Sequence, residues 1–213
     1  MSNIKLVHSG GNSVSLTTPT SNPASNITFK LPQADGSAGQ VLQTDGNGNL
    51  TFVDPPFSVY DKWVGSTTTT GNQNPFTDWV RHNASKSPLL GTGMSHSSGT
   101  FTFPKTGVYL VRFNADMYNT SSYERTIDCD IMFTINNSSY NLLQNSSGNV
   151  HNIGSYNIHT TVQAQAMLDV TDTSNVKVQF KITAYNNAST LKAQGYNANG
   201  GYTYVDFTRV ADT

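Results

Sequence analysis

From residue 108 to 117 the side chains alternate strictly, with Tyr109, Val111, Phe113, Ala115 and Met117 on one face and Arg112, Asn114 and Asp116 on the other. A period of two sustained this long admits one backbone, an extended strand with a single buried side. The pattern recurs. Residues 127–135 alternate through Ile127, Cys129, Ile131, Phe133 and Ile135, and residues 160–170 set Val162, Ala164, Ala166 and Leu168 against Gln163, Gln165 and Asp169. Residues 176–185 and 201–210 read the same way, and shorter strands are expected at 60–64 and 78–81, with a turn at Asn74-Pro75 between them. Ahead of the first run, residues 99–103 form a strand and Pro104-Lys105-Thr106-Gly107 a turn, so residues 99–117 are predicted to make a hairpin. With no helical period of useful length, the chain is expected to be an all-β sandwich.

The first quarter is different. Residues 1–57 hold short β pieces near 14–18, 26–31, 40–43 and 50–53, separated by turns at Asn22-Pro23, Asp35-Gly36 and Asp45-Gly46-Asn47-Gly48. They contain too few large apolar residues for a core and neither a cysteine nor a ligand cluster to replace one, so other chains are expected to order them. Asp54-Pro55-Pro56 marks the boundary, because two prolines exclude continued ladder pairing. The expected organisation is a connector over residues 1–57 and a head over 58–213.

Composition then removes function classes. Twelve basic and thirteen acidic residues give a net charge of −1, which lacks the footprint that nucleic-acid binding needs. Ser, Thr and Asn make up about a third of the chain, so hydroxyls and amides carry the surface polarity. Cys129 is alone, which forbids an intrachain disulfide, and its place in an alternating run reads as a buried small hydrophobe. No stretch has the length of a signal peptide or membrane span, so synthesis in a cytoplasm without export and no membrane insertion are expected.

No catalytic pattern emerges. The stretch Gly93-Met94-Ser95-His96-Ser97 misses the second glycine of a nucleophile elbow, and His8, His82, His96, His151 and His159 are scattered without metal-ligand spacing. Asp128 and Asp130 project from one strand face, as a calcium ligand set, an acid/base pair or a solvated face; the last is favoured, since no Asp-x-Asp-x-Asp-Gly loop surrounds them. Asp169 and Asp172 flank a turn, and the Asp45–Gly48 turn leads into a strand, where no helix could hold an anion. Neither an enzyme nor a cofactor or metal is expected. The tyrosines divide into two sets. Tyr118, Tyr123, Tyr140, Tyr156 and Tyr196 lie in or beside Asn/Ser-rich loops, as adaptable recognition groups for a receptor such as a surface glycan, or as packing for their own loops. Tyr109, Tyr185, Tyr202 and Tyr204 lie in strands, facing a core or an inter-subunit seam.

Two resemblances add to this. The run Thr102-Phe-Pro-Lys-Thr-Gly-Val-Tyr-Leu-Val111 and the closing Gly200-Gly-Tyr-Thr-Tyr-Val-Asp-Phe-Thr-Arg-Val210 resemble the heads of complement subcomponent q and tumour necrosis factor. That likeness implies a jelly roll of eight to ten strands that assembles as a homotrimer and binds. Complement-type heads usually follow a collagen-like Gly-X-Y stalk, absent from this sequence. The segment from Asn12 to Val53, with its Leu31-Pro-x-Ala-Asp-Gly and Gly39-Gln-Val-Leu-x-Thr-Asp-Gly words, resembles a recurrent piece of bacteriophage tail-fibre and virion proteins, especially cyanophage ones. It implies a virion structural protein, either a tail-fibre tip or a capsid decoration, anchored to other virion proteins through residues 1–57 and adhering to a host surface. The alternatives are a secreted or surface trimeric ligand of complement or necrosis-factor type, and a surface polysaccharide depolymerase.

Overall fold

The computed structural model describes residues 4–83, 85–121, 123–153, 156–197 and 200–213. The chain divides into two compact units, Met1–Asp54 and Pro55–Thr213.

The first unit is two antiparallel ribbons. Strands β1 (Ile4–Val7) and β2 (Ser13–Leu16) pair with each other, as do β3 (Val41–Thr44) and β4 (Leu50–Val53). The β3–β4 turn is held by Asp45, whose Oδ1 accepts from the amides of Asn47 at 2.8 Å and Asn49 at 3.1 Å. The strand expected over 26–31 is instead an extended segment held at one residue: Lys30 donates its amide to the Gly48 carbonyl and accepts from the Leu50 amide. No described residue of this unit is buried.

The second unit carries, in chain order, β5 (Tyr60–Gly65), β6 (Thr69–Thr70), β7 (Trp79–Arg81), β8 (Ser95–Ser97), β9 (Thr100–Thr102), β10 (Gly107–Asn119), β11 (Glu124–Thr134), β12 (Asn141–Val150), β13 (Asn152–Ile153) and β14 (Tyr156–Asn157). It continues through β15 (His159–Val170), β16 (Lys177–Ala184), β17 (Leu191–Ala193), β18 (Tyr196–Asn197), β19 (Gly200–Gly201) and β20 (Tyr204–Ala211). A seven-stranded sheet centres on β10, which pairs with β15 along one edge and with β20 and then β17 along the other; β5, β7 and β6 complete it. The facing five-stranded sheet runs β12-β11-β16-β9-β8. Both are antiparallel, and the result is an all-β jelly-roll sandwich.

The core lies between the sheets. Tyr109, Val111, Phe113, Ala115 and Met117 of β10 are fully buried against Ile127, Cys129 and Ile131 of β11 and Val178, Phe180 and Ile182 of β16. Phe101 sits at its centre, with the rings of Phe207, Trp63 and Phe180 at 5.0, 5.4 and 5.7 Å. Burial beside two carboxylates raises the Cys129 thiol above its ordinary pKa, so it is an inert hydrophobe.

The predicted hairpin at 99–117 is not one. β9 pairs with β8 and β16 in one sheet while β10 lies in the other, so Pro104–Gly107 carries the chain across the sandwich. Both strands bury one face, as the alternation requires, but they bury it from opposite sides of the core: the Phe103 and Tyr109 rings lie 4.7 Å apart. Gly107 is required at this corner. Its φ is +137°, and a Cβ there would lie 2.4 Å from Nε of Arg209, whose buried guanidinium donates to the Thr106 carbonyl at 2.9 Å. Ile135 also departs from expectation, since β11 ends at Thr134 and Ile135 is exposed where Asn136 turns the chain.

The β8–β9 turn contains a titratable joint. His96 packs its ring 4.7 Å from Phe101, and its Nε2 accepts from the Gly99 amide at 3.0 Å, an interaction open only to neutral imidazole. Desolvation holds its pKa below the ordinary 6.5. A depressed histidine contributes stability that is complete above the unfolded value and is lost as pH falls through the folded one. Chemical denaturation midpoints should therefore drop below about pH 6.5, and His96→Gln should flatten that slope without abolishing it, because His82 is depressed in the same direction. An unchanged slope would remove His96 from the account.

Candidate functional site: the outer sheet face and the loop end

The face of the seven-stranded sheet that points away from the core is built in rows by strand register. Tyr60, Thr208, Leu110 and Met167 form one row; Lys62, Asp206, Arg112 and Gln165 the next; Tyr204, Asn114 and Gln163 a third. At its margin Tyr60, Phe57, Pro88, Leu89 and Leu90 line an apolar groove of about 370 Å³.

The middle row is an ion pair laid flat on the sheet. Arg112 donates from Nε to Oδ1 of Asp206 at 2.8 Å, and Lys62 places its ammonium 3.9 Å from the Tyr204 ring centre. Neighbouring side chains leave Asp206 only 3% exposed. Its desolvation pushes the carboxyl above its ordinary pKa while Arg112 pulls it back, and desolvation also lowers Lys62. The face mixes apolar groups with the Arg112–Asp206 pair and the Lys62 ammonium, a composition that suits contact with another protein surface.

The strand tyrosines separate. Tyr204 lies on this outer face, and Tyr202, 38% exposed, precedes it with its carbonyl accepting from Asn114 Nδ2. Tyr109 points inward and its hydroxyl donates to the Lys105 carbonyl at 3.0 Å; burial pushes its pKa up to about 12. Tyr185 extends from the other sheet, exposed, and donates to Oδ2 of Asp128 at 2.7 Å.

Antiparallel pairing brings the end of β10, the start of β11, the end of β12 and the start of β15 to one end of the sandwich. Tyr118 lies there with its ring 4.7 Å from His159, Tyr123 is half exposed with its ring facing His151 at 6.5 Å, and Tyr156 is 76% exposed. Tyr140, partly buried between β11 and β12, is at the opposite end. Tyr196 falls on β18, its side chain outside the described residues. Sequence reasoning missed two organising groups at this end. Glu124 is fully buried and its carboxylate accepts from the amides of Tyr185, Asn186 and Asn187, fixing that loop. Asp116 accepts from Thr161 Oγ1 at 3.3 Å and contacts His159 Nδ1 at 2.6 Å.

In the Asp116–His159 pair the adjacent Thr161 hydroxyl donates to the carboxylate and not to the imidazole, so it is not placed as a histidine-activated nucleophile. Asp128 and Asp130 are likewise spent, on Ser147 and Tyr185 and on Asn145 and Lys181 respectively. Asp172 makes the expected Asx turn, accepting from the Ser174 amide at 2.7 Å. Among the described residues no three of His, Cys, Asp and Glu converge as a metal site, and no helix is long and apolar enough to cross a membrane.

The jelly-roll fold is shared with solved structures of tumour-necrosis-factor type. Among solved structures, Eiger TNF from S. frugiperda is similar at 16% identity, covering 74% of this chain and 95% of that one with a TM-score of 0.54. Murine APRIL at pH 5.0 is similar at 12% identity, covering 71% of this chain and 98% of that one with a TM-score of 0.50. Neither a protein-family model nor a curated protein sequence matches the chain.

These findings correct the virion assignment. The similarity found is to tumour-necrosis-factor-type ligands, so the expectation of a phage structural protein on a virion, as fibre tip or capsid decoration made in a cytoplasm without export, is overturned. The physical reason is that the N-terminal words which suggested it encode Asp-Gly turns and short strands, and turn chemistry specifies local backbone without specifying a partner.

Proposed function

We propose that this chain is a secreted or cell-surface ligand that acts by binding, with residues 55–213 forming the head of a homotrimer. The observation that supports it most is the outer face of the seven-stranded sheet, where Tyr60, Leu110, Met167 and Tyr204 surround a charge pair already neutralised within the protomer. Covering this face leaves the Arg112–Asp206 pair intact, and the Lys62 ammonium, over the Tyr204 ring, is the one charge of the row that a neighbour must meet. The trimer then presents three copies of the loop end, where Tyr118, Tyr123 and Tyr156 offer rigid aromatic contact area, and avidity multiplies weak individual contacts.

Met167 is half exposed, so Met167→Asp tests the face without threatening the core. The variant is expected to keep its cooperative unfolding transition and to raise the trimer dissociation constant by about 100-fold in mass photometry. A variant that assembles as tightly as the parent contradicts the assignment of this face.

A further inference from the structure

We propose that residues 4–53 form a homotypic β stalk, in which the apolar side chains of one copy are covered by the same segment of two further copies. The inference rests on the trimeric reading of the head. The β1–β2 register sets Ile4 opposite Leu16 and Leu6 opposite Val14, so four apolar side chains share one face, each between 63% and 71% exposed. Ile27, Phe29 and Leu31 alternate along the next segment at 63% to 77% exposure, and Val41, Leu42 and Phe52 on the second ribbon are 38% to 50% exposed. A two-stranded ribbon with its apolar face in water is marginal at best. Together these side chains leave ~1,000 Å² of apolar surface uncovered per copy, above the ~800 Å² that each partner buries in a stable interface.

Further copies of this chain fit better than an unrelated partner for two reasons. The Lys and Asp side chains of the segment are Lys5, Lys30, Asp35 and Asp45, scattered and balanced. Three copies would not repel one another, and there is no block of one sign to select a partner of the other. The segment is also tethered to the head, so trimerisation of the heads holds three tails together at an effective concentration in the mM range. The unpaired outer edges of β1 and β2 then offer backbone groups for pairing between copies.

The test compares the full-length chain with its Leu6→Asn/Val14→Asn double variant by hydrogen–deuterium exchange and by mass photometry over a dilution series. In the parent trimer the amides of β1 to β4 should be protected; in the variant, protection over residues 4–16 should fall by about tenfold while β10 in the head is unchanged. The variant trimer should also dissociate at about tenfold higher concentration. A parent trimer with an unprotected tail, or a variant that matches the parent, overturns the stalk, leaves the trimeric head standing and assigns the apolar face to a different protein. A tail protected in a monomeric chain overturns both.

Discussion

Replacing Asp61 by alanine is expected to destabilise the head by about 3 kcal/mol, a drop in melting temperature on the order of 10 °C for a domain of this size. Asp61 is 1% exposed and its carboxylate accepts from Trp63 Nε1 at 2.8 Å, from the buried Met94 amide at 2.8 Å and from the Arg81 guanidinium at 3.1 Å. Removing it strands the buried Met94 amide and the partly buried Trp63 indole N–H, and takes the carboxylate from Arg81, which stacks over Trp63 and also bonds the Met94 carbonyl. The loss therefore spreads from one carboxylate to the contact between β5, β7 and the chain before β8. Asp61→Asn keeps one acceptor oxygen and should cost roughly half as much. Thermal and urea unfolding of the two variants check this; a loss below about 1 kcal/mol for alanine would mean that water replaces the carboxylate, and the burial argument would fail.

The second large effect is expected at Glu124. Its carboxylate gathers three successive backbone amides, Tyr185 at 3.1 Å, Asn186 at 2.8 Å and Asn187 at 2.5 Å, in a site with no solvent exposure. Glu124→Ala leaves the Asn186 and Asn187 amides without their acceptor, while the Tyr185 amide keeps the Thr126 carbonyl at 3.3 Å, and should destabilise by about 3 kcal/mol. The effect should be uneven. Exchange protection of the Asn186 and Asn187 amides should fall by more than about tenfold beyond any global change, because the loop loses the group that orders it. Because the neighbouring Asn187 side chain donates to the Tyr123 carbonyl at 2.5 Å, the variant should also loosen the aromatic loop end. Uniform loss of protection across the head would show that Glu124 supports the sandwich and not the loop.

Much of the sandwich was legible because period-two alternation is a local property. Each buried residue of β10, and Ile127, Cys129 and Ile131 of β11, occupies the face that the pattern assigned. Pairing is not local. The segment 99–117 satisfies the hairpin pattern and the sheet-crossing pattern equally, and only the partners of β9 and β10 in distant sequence decide between them. β12 gave no signal at all, since Asn141-Leu-Leu-Gln-Asn-Ser-Ser-Gly-Asn-Val150 is an edge strand whose polar residues meet water, and its place comes from pairing with β11. Residues 26–31 erred in the other direction: Ile27, Phe29 and Leu31 alternate like a strand, yet only Lys30 finds a backbone partner.

The candidate site was less legible for a related reason. Tyr118, Tyr123 and Tyr156 were recognisable as loop or loop-edge residues, but their gathering at one end, and the separation of Tyr140 from them, follow from strand order. Asp61 had a signal, since alternation places it on the inward face with Trp63. Glu124 had none, as its role depends on a loop sixty residues away.

The proposed ligand depends on assembly of the head as a trimer. Sedimentation velocity of the purified full-length chain at micromolar concentration tests it most directly. One species at about three times the 23.1 kDa chain mass is expected; a single species at 23.1 kDa, with the head folded, would rule out the trimer.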